Sequence, residues 1–422
     1  MRVITMKFIQ RFLAVAAIGW SAVAGVHAAP RDNPHWVATW GASPEARWDG
    51  DFALPLNLPF HLWDQTIRQV VHISLGGKQT RIVLSNAYGD APLVIGAAHI
   101  ALAGNGGVIA TGSDHALTFA GQPTVSIPPG AFAVSDPVAW TIDASSDLAV
   151  SLYLPEPTPP ATFHWDARQT AYVGAGNQAA DTALKTDATM TTRVFLSAVV
   201  VDADARAEAV ATLGDSITDG AGASMDRNTR WPDFLAQRLH QRDVAVVNAG
   251  ISGARLLRNK MGENALARFG RDVLDQPGVS AVIVLIGIND ISWLDTPLGP
   301  RDATPPPEQL IAGYRQLIAQ AHLHNVRIVG ATLTPFEGAL IDSPMKHYYS
   351  ADKERVRQAV NRWIRDSGEF DAVADFDAAL RDPQHPQRLL PAYDSGDHLH
   401  PSDAGNKAMA DAIDLSRMLD TH

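Results

Sequence analysis

The stretch AVATLGDSITDG, residues 209–220, decides the fold. Its first half is apolar and short enough for a buried strand, and its second half is a polar turn flanked by glycines. A buried strand that breaks into such a turn is typical of strand–helix units, in which successive strands run parallel. Ser216 stands at the end of the strand, where parallel sheets bind their ligands.

Downstream of Ala209, strand and helix patterns alternate. The predicted strands cover residues 209–213, 244–248, 281–286, 326–333 and 372–376. The predicted helices cover residues 231–241, 263–273, 307–324, 351–364 and 402–419. This alternation predicts an α/β fold with a parallel sheet covered by helices on both faces.

The chain before residue 205 has a different character. Runs rich in valine, isoleucine and threonine occur at 67–75, 80–84, 150–154 and 193–201, and turn-forming residues separate them. Short strands divided by turns, without a long helical period, are typical of antiparallel sheets. We therefore predict an all-β, jelly-roll-like sandwich over 30–205, followed by the α/β domain over 206–422.

The first 28 residues have the pattern of an export signal. Three basic side chains precede an apolar run over 12–26, and Val26-His27-Ala28 fits a small-x-small cleavage site. The alternative is a membrane anchor, but the apolar run is shorter than the roughly 20 residues that a span requires. We predict a signal peptide over 1–28 and a protein that is secreted or periplasmic.

Charge and composition narrow the function classes. The formal net charge is -11, and loss of residues 1–28 with their three basic side chains makes it -14. Such a surface repels nucleic-acid phosphates and anionic membranes. No later segment of the sequence has the apolar length of a transmembrane helix, so we expect no membrane association after cleavage. The sequence has 0 cysteines, which excludes disulfides, a thiol nucleophile and cysteine metal sites.

Ser216 needs a base before it can act as a nucleophile. A hydroxyl attacks an ester carbonyl only when an imidazole takes its proton, and a carboxylate usually orients that imidazole. Asp397 and His400 are close enough in sequence to face the same way on one helical turn. On the alternative interpretation, Ser216 is a turn residue, and His400 only precedes the last helix with Ser402 as its N-cap.

The tetrahedral intermediate of ester cleavage also needs hydrogen-bond donors for its oxyanion. Gly250 lets a backbone N–H approach a ligand, and Asn289 carries an amide at the end of a strand. Taken alone, Gly250 fits a turn glycine and Asn289 an ordinary Asx turn. Because Ser216, Gly250 and Asn289 follow three successive predicted strands, we interpret the three together as an esterase site.

These motifs resemble the SGNH, or GDSL-type, hydrolase superfamily. Gly214-Asp215-Ser216-Ile217 matches the first block, Gly250 the second, Gly287-Ile288-Asn289-Asp290 the third, and Asp397 with His400 the fifth. The resemblance implies a flavodoxin-like three-layer α/β/α domain with no metal and no cofactor. It implies Ser216 as nucleophile, His400 as base and Asp397 as orienting acid. It also implies an oxyanion hole made by the N–H groups of Ser216 and Gly250 and the amide of Asn289.

Two positions depart from the family's pattern. Ile217 stands where the name-giving motif has leucine, and His398 stands where glycine is frequent. His398 makes the identity of the base ambiguous, and the Asp-x-x-His spacing selects His400. Asp394 is the second choice for the orienting acid.

The first half of the chain is similar to the β-domain that precedes the catalytic domain in secreted bacterial members of this superfamily. Relatives with that arrangement are linked to removal of acyl groups from plant polysaccharides. Tryptophans of this half either stack on sugar rings or belong to the core. They are Trp36, Trp40, Trp48, Trp63, Trp140 and Trp165. The loops 292–307 and 337–350 are expected to wall the substrate pocket.

We predict an exported serine esterase that cleaves carboxylic esters through an acyl-enzyme, with short-chain or carbohydrate acetyl esters as substrates. The expected partner is an ester substrate, for example an acylated carbohydrate. The alternative within the superfamily is a lipase, arylesterase or thioesterase. Two alternatives belong to other functional classes. One is a carbohydrate-binding protein with an inactive hydrolase domain, and the other is a metal-dependent hydrolase that uses Asp397, His398 and His400.

Overall fold

A computed structural model describes residues 33–48 and 52–419 of the chain. The predicted signal peptide over 1–28 lies outside the described residues. Within the described ranges, no helix has the length and apolar character needed to cross a membrane.

The chain up to Ala203 consists of short strands joined by turns. Its described strands, in chain order, are β1 (His35–Gly41), β2 (Glu45–Ala46), β3 (Gln65–His72), β4 (Gly77–Ser85), β5 (Leu93–Ile95), β6 (Ala97–Leu102), β7 (His115–Ala116), β8 (Val125–Ile127), β9 (Phe132–Val134), β10 (Val138–Ile142), β11 (Asp147–Leu154), β12 (Thr162–His164), β13 (Ala171–Ala175), β14 (Ala188–Met190), β15 (Arg193–Val194) and β16 (Leu196–Ala203).

Two antiparallel sheets account for most of these strands. One has the order β1-β16-β4-β10, with β9 also paired to β4, and the other has the order β14-β13-β3-β11-β6-β7. Buried valine, leucine and isoleucine side chains of both sheets, such as Ile82, Val150 and Val199, belong to one hydrophobic cluster. The predicted all-β sandwich is thus confirmed as a mainly antiparallel structure. A separate three-stranded sheet has the order β15-β12-β2.

From Glu208 onward the sheet is parallel. Its described strands are β17 (Glu208–Gly214), β18 (Val244–Gly250), β19 (Val279–Leu285), β20 (Arg327–Ala331) and β21 (Ala372–Ala374), in the order β18-β17-β19-β20-β21. The described α-helices are α1 (Ser216–Asp219), α2 (Trp231–Leu239), α3 (Ala265–Phe269), α4 (Ile288–Ser292), α5 (Pro307–Leu323), α6 (Ala351–Asp366), α7 (Phe376–Leu380), α8 (Asp403–Asp411) and α9 (Leu415–Met418). A 3₁₀ turn follows α2 at His240–Arg242, and a π-helical segment follows α3 at Gly270–Leu274.

This half confirms the predicted α/β fold. The five predicted parallel strands are present, α2 packs against α8, and α5 packs against α6. The predicted helix over 402–419 is wrong as a single element, because the chain breaks between α8 and α9. There the Asp414 side chain accepts from the N–H of Ser416 and begins a new helix.

The two halves share a hydrophobic core. Val37 and Val200 of the antiparallel part cluster with Ala209, Ala245 and Val247 of the parallel part, and all are buried. Contacts join the described residues from His35 onward into one compact unit. The domain limits at 30–205 and 206–422 stay predictions, although the change from antiparallel to parallel pairing falls between β16 and β17.

Candidate active site

Ser216 lies at the first position of α1, directly after β17. Asp215 is the N-cap of this helix, and its side chain accepts from the N–H of Ile217 at 3.1 Å. Gly214 has no room for a side chain, because a methyl group there would clash with the hydroxyl of Thr218. Gly220 ends the helix with a φ of 118°, in the left-handed region that favours glycine. The sequence GDSITDG therefore builds a tight strand-to-helix turn with Ser216 at its corner.

Ser216, His400 and Asp397 form one chain of hydrogen bonds. The distance between Ser216 Oγ and His400 Nε2 is 2.8 Å, and His400 Nδ1 lies 2.6 Å from Asp397 Oδ2. The other oxygen of Asp397 accepts from the backbone N–H groups of His400 and Leu399. With Nδ1–H donated to the carboxylate, Nε2 is left as the acceptor that faces the serine hydroxyl. The structure thus brings these three predicted residues together.

The carboxylate of Asp397 is held in its charged form. Burial works to raise its pKa, but the hydrogen bond and charge of His400 and the two backbone donors outweigh burial and place the pKa well below the usual range. An ionised Asp397 can stabilise an imidazolium on His400.

His398, the competing histidine, faces elsewhere. Its Nδ1 lies 2.5 Å from Asp394 Oδ2, and about half of its side chain is exposed. Its backbone has a φ of 62°. That left-handed conformation gives a physical reason why glycine is frequent at this position in the family. Asp394 is thus paired with His398, and the structure places neither of them in the hydrogen-bond chain of Ser216.

Asn289, in α4 after β19, has three of its four hydrogen-bonding positions filled. Its Oδ1 accepts from Trp293 Nε1 at 2.9 Å and from Tyr348 Oη at 2.8 Å, and its Nδ2 donates to the carbonyl of Ala254 at 2.9 Å. Because an indole N–H can only donate, the orientation of the amide is fixed. One N–H of Asn289 is left without an acceptor among the residues that the structure describes.

Gly250 is not where an oxyanion donor is needed. It is the last residue of β18, and its N–H donates to Asn248 Oδ1 at 2.8 Å. A methyl group on Gly250 would press on the backbone of Asp219, so the glycine serves close packing. The assignment of an oxyanion donor to Gly250 is therefore corrected, because its N–H is already used and the residue does not line the cavity beside Ser216.

Gly253 takes the place that sequence reasoning gave to Gly250. It lines the same cavity as Ser216 and Asn289, and its φ of 76° demands glycine. Neither its N–H nor that of Ser216 has an acceptor within the described part of the chain. The sequence prediction ended this strand at residue 248, whereas β18 continues to Gly250, so the first glycine of the following turn is Gly253.

The loop that carries Gly253 is tied down on both sides. Asp219 Oδ2 accepts from both the N–H and the hydroxyl of Ser252, at 2.9 and 2.7 Å. On the other side, the Asp290 carboxylate accepts from the N–H groups of Leu256 and Leu257. Burial raises the pKa of Asp290 to about 6, although both backbone donors work to lower it. A loop held in this way gives its N–H groups fixed directions.

A cavity of about 450 Å³ opens beside Ser216. As predicted, the loops 292–307 and 337–350 contribute to its walls, through side chains such as Trp293 and Tyr348. Most of its larger side chains are apolar. They include Leu54, Met261, Leu298, Leu340, Met345 and Leu399.

The antiparallel half also lines this cavity, which the sequence did not indicate. Leu54 and the pair Trp165-Asp166 stand there, far from Ser216 in sequence. Of the other tryptophans of this half, Trp40 and Trp48 belong to the core, whereas Trp63 is 60% exposed. Among the described tryptophans of the antiparallel half, Trp165 is the one that lines the cavity.

The described ranges contain no group of three or more histidine and carboxylate side chains arranged to hold a metal ion. His398 and His400 each pair with a different carboxylate, Asp394 and Asp397. The alternative of a metal site built on both histidines therefore has no geometric support.

Three comparisons relate the chain to known proteins. No curated protein matches. Among solved structures, an inhibitor-bound aryl esterase from M. smegmatis is 17% identical, with a TM-score of 0.40, over 50% of this chain and 100% of its own. A GDSL-like lipase from Bacteroides thetaiotaomicron is 16% identical, with a TM-score of 0.37, over 50% of this chain and 87% of its own. The acetyl xylan esterase AlAXEase is 20% identical, with a TM-score of 0.35, over 48% of this chain and 96% of its own.

The sequence profile of the GDSL-like lipase/acylhydrolase family matches residues 210–413. This range includes most of β17, the turn of Ser216, the Gly253 loop, Asn289 and the Asp397–His400 pair. Residues 210–413, just under half of the chain, are thus similar to the GDSL-like lipase/acylhydrolase family.

Proposed function

We propose that this protein is a serine esterase that hydrolyses carboxylic esters through an acyl-enzyme. The observation that carries the proposal is the hydrogen-bond chain from Ser216 Oγ through His400 to Asp397, at 2.8 and 2.6 Å. Serine, imidazole and carboxylate in this order are what nucleophilic ester cleavage requires.

In the proposed reaction, Ser216 Oγ attacks the ester carbonyl while His400 Nε2 takes its proton. The oxyanion that forms is bound by the N–H groups of Ser216 and Gly253 and by the remaining N–H of Asn289. When the intermediate collapses, His400 gives the proton to the departing alcohol and the acyl group stays on Ser216. A water molecule, deprotonated by His400, then attacks the acyl-enzyme and releases the acid and free Ser216.

We propose esters with short acyl chains, including acetylated carbohydrates, as substrates. A cavity of about 450 Å³ lies at the small end of the roughly 300–1,000 Å³ that ligand sites occupy, and it is mainly apolar. Trp165 and Asp166 at the same cavity offer a ring face and a carboxylate, which suit a sugar ring and its hydroxyl groups. The N-terminal sequence further supports a secreted or periplasmic location as part of the proposal.

Replacement of Ser216 by alanine tests the proposal. We expect Ser216→Ala to lose hydrolysis of p-nitrophenyl acetate, and Ser280→Ala, which removes an exposed hydroxyl bonded to Glu208, to keep it. A fluorophosphonate should add one equivalent to the wild type and none to Ser216→Ala. Undiminished turnover by a folded Ser216→Ala variant would refute the mechanism.

Substrate choice needs a separate measurement. A series of p-nitrophenyl esters from acetate to decanoate should show its highest kcat/KM at short chains, and acetylated xylo-oligosaccharides should release acetate. A maximum at long chains would instead support the lipase alternative. Binding of oligosaccharide without ester cleavage would support the inactive carbohydrate-binding protein.

A further inference from the structure

A buried histidine, His164, joins the antiparallel half to the active-site half. It is the last residue of β12, and it is 6% exposed. Its Nε2 lies 2.9 Å from Asp219 Oδ1, in the helix that begins with Ser216. Its Nδ1 lies 3.1 Å from the backbone carbonyl of Ser43. The mechanism described above does not use this residue.

Both ring nitrogens of His164 face oxygen acceptors. A carbonyl oxygen can only accept, so Nδ1 must carry a proton toward Ser43, and Nε2 must carry one to donate to the Asp219 carboxylate. His164 is therefore an imidazolium. Burial works to lower its pKa, but the charge and hydrogen bond of Asp219 outweigh burial and raise it to about 9. Glu45, whose Oε1 lies 3.8 Å from Nδ1, adds to this effect.

Asp219 transmits this contact to the loop of the oxyanion donor. One of its oxygens accepts from His164, and the other accepts from the N–H and the hydroxyl of Ser252. Ser252 directly precedes Gly253, whose N–H has no acceptor in the described ranges. Since Asp219 is 3% exposed, its carboxylate has little water to replace a lost partner. The position of Asp219 therefore depends on His164, and the position of Gly253 depends on Asp219.

We propose that His164 is a positioning residue for the oxyanion hole, through which the antiparallel half acts on catalysis by way of Asp219 and Ser252. This inference rests on the proposed esterase function. It assigns to the antiparallel half a part in the rate of the chemical step, beyond its part in lining the cavity.

Two substitutions separate this role from a structural one. The amide nitrogen of glutamine can occupy the place of Nε2, so His164→Gln keeps a donor for Asp219. Asparagine is shorter and its amide can serve only the position of Nδ1, so His164→Asn keeps a donor for Ser43 and loses the one for Asp219. Both variants lose the positive charge, and a difference between them isolates the contact with Asp219.

We expect His164→Asn to lower kcat for p-nitrophenyl acetate roughly 5- to 50-fold, less than the 10²- to 10³-fold that deletion of an oxyanion donor costs. KM should change less than about threefold, and His164→Gln should retain most of kcat. Affinity for a trifluoromethyl ketone, which forms a tetrahedral adduct on serine, should fall by the same factor as kcat. His99→Asn is the matched control, because His99 pairs with Asp114 in the same half at 2.9 Å but does not line the cavity.

Equal kcat for His164→Asn and His164→Gln would overturn the proposal, and so would a rise in KM alone. If His164→Asn does not unfold cooperatively, Ser252→Ala supplies the test, because it removes one of the two bonds between Ser252 and Asp219. An unchanged kcat of Ser252→Ala would then overturn the proposal. A wild-type protein that cleaves no ester would instead refute the proposed function, so the two failures are distinguishable.

Discussion

Replacement of Asn289 by alanine is the sharpest test of the oxyanion hole. Its amide is almost fully buried, at 4% exposure, and three of its four hydrogen-bonding positions are occupied by Trp293, Tyr348 and Ala254. Among the described residues one N–H is left without an acceptor, and the other three bonds set its direction; the proposed mechanism assigns it to the oxyanion. Asn289→Ala therefore deletes one preorganised donor and leaves Ser216 and His400 in place.

The expected loss follows from the charge of the intermediate. A donor that bonds an oxyanion acts mainly in the transition state, so its removal lowers kcat and leaves KM nearly constant. Deletion of one such donor costs roughly 10²- to 10³-fold in kcat, or about 2.7–4 kcal/mol. The same substitution leaves the Trp293 indole, the Tyr348 hydroxyl and the Ala254 carbonyl without their partner. Each unsatisfied buried group costs about 1–3 kcal/mol, so the variant should also be less stable.

Loss of stability must be separated from loss of catalysis. Asn361 provides a matched control, because it is fully buried in α6 and its amide exchanges two 2.8 Å hydrogen bonds with the backbone of Leu333, away from the cavity. Thermal unfolding followed by circular dichroism should show that Asn289→Ala and Asn361→Ala both lose stability. Initial rates with p-nitrophenyl acetate, measured where both are folded, should fall only for Asn289→Ala. A kcat of Asn289→Ala within threefold of the wild type would refute the role of Asn289.

Three further substitutions probe the acid that orients His400, one buried glutamate and the cavity. Asp397→Asn should lower kcat roughly 10³- to 10⁴-fold in steady-state assays, because an amide N–H facing Nδ1 forces the wrong tautomer on His400; a loss below tenfold would argue against an orienting role. Burial raises the pKa of Glu45 from 4.5 to about 7. The folded state therefore binds a proton on Glu45 more tightly than the unfolded state does. The contribution of this proton to the free energy of unfolding is complete below pH 4.5 and is lost as the pH rises toward 7, by up to about 3 kcal/mol. Glu45→Gln should therefore flatten this part of a curve of Tm against pH. An unchanged slope would contradict the prediction. Met345→Trp should shift the chain-length optimum of p-nitrophenyl esters toward acetate by filling the cavity, and an unchanged profile would show that the acyl chain binds elsewhere.

The parallel sheet was predictable because its strands are short apolar runs buried by helices on both sides. Each predicted strand overlaps an observed one, since a run such as 209–213 has only one way to be buried in an α/β fold. The last helix was not predictable to the same degree. Its apolar period continues past Asp411, and the break depends on the local capping bonds of Asp414. Capping competes with helix continuation by small free energies, which a periodic pattern does not contain.

The residues of the candidate site also differ in how well the sequence predicted them. Asp397 and His400 are near in sequence, so their spacing indicated that they could face the same way on one helical turn, and they meet in a bend that precedes α8. The choice between Gly250 and Gly253 required the end of β18, which lies two residues beyond its predicted position. His164 and Trp165 reach the site through the packing of β12, and a single sequence carries no signal for contacts of this kind. The residues that local spacing links were therefore predictable, and those that tertiary packing supplies were not.

The cavity residues that the sequence did not indicate have a bearing on substrate specificity. In the proposed mechanism, Ser216, His400 and Asp397 supply chemistry that is the same for any ester, so they would not select a substrate. The cavity walls differ in this respect, because Leu54 and Trp165 come from the antiparallel half and Met345 from a loop of the parallel half. A substrate that binds there contacts both halves at once, and its affinity depends on how they are held together. Since the halves share a buried core, the antiparallel half acts as part of the active site, and a chain reduced to residues 206–422 would lack both one wall of the cavity and the His164 support of Asp219.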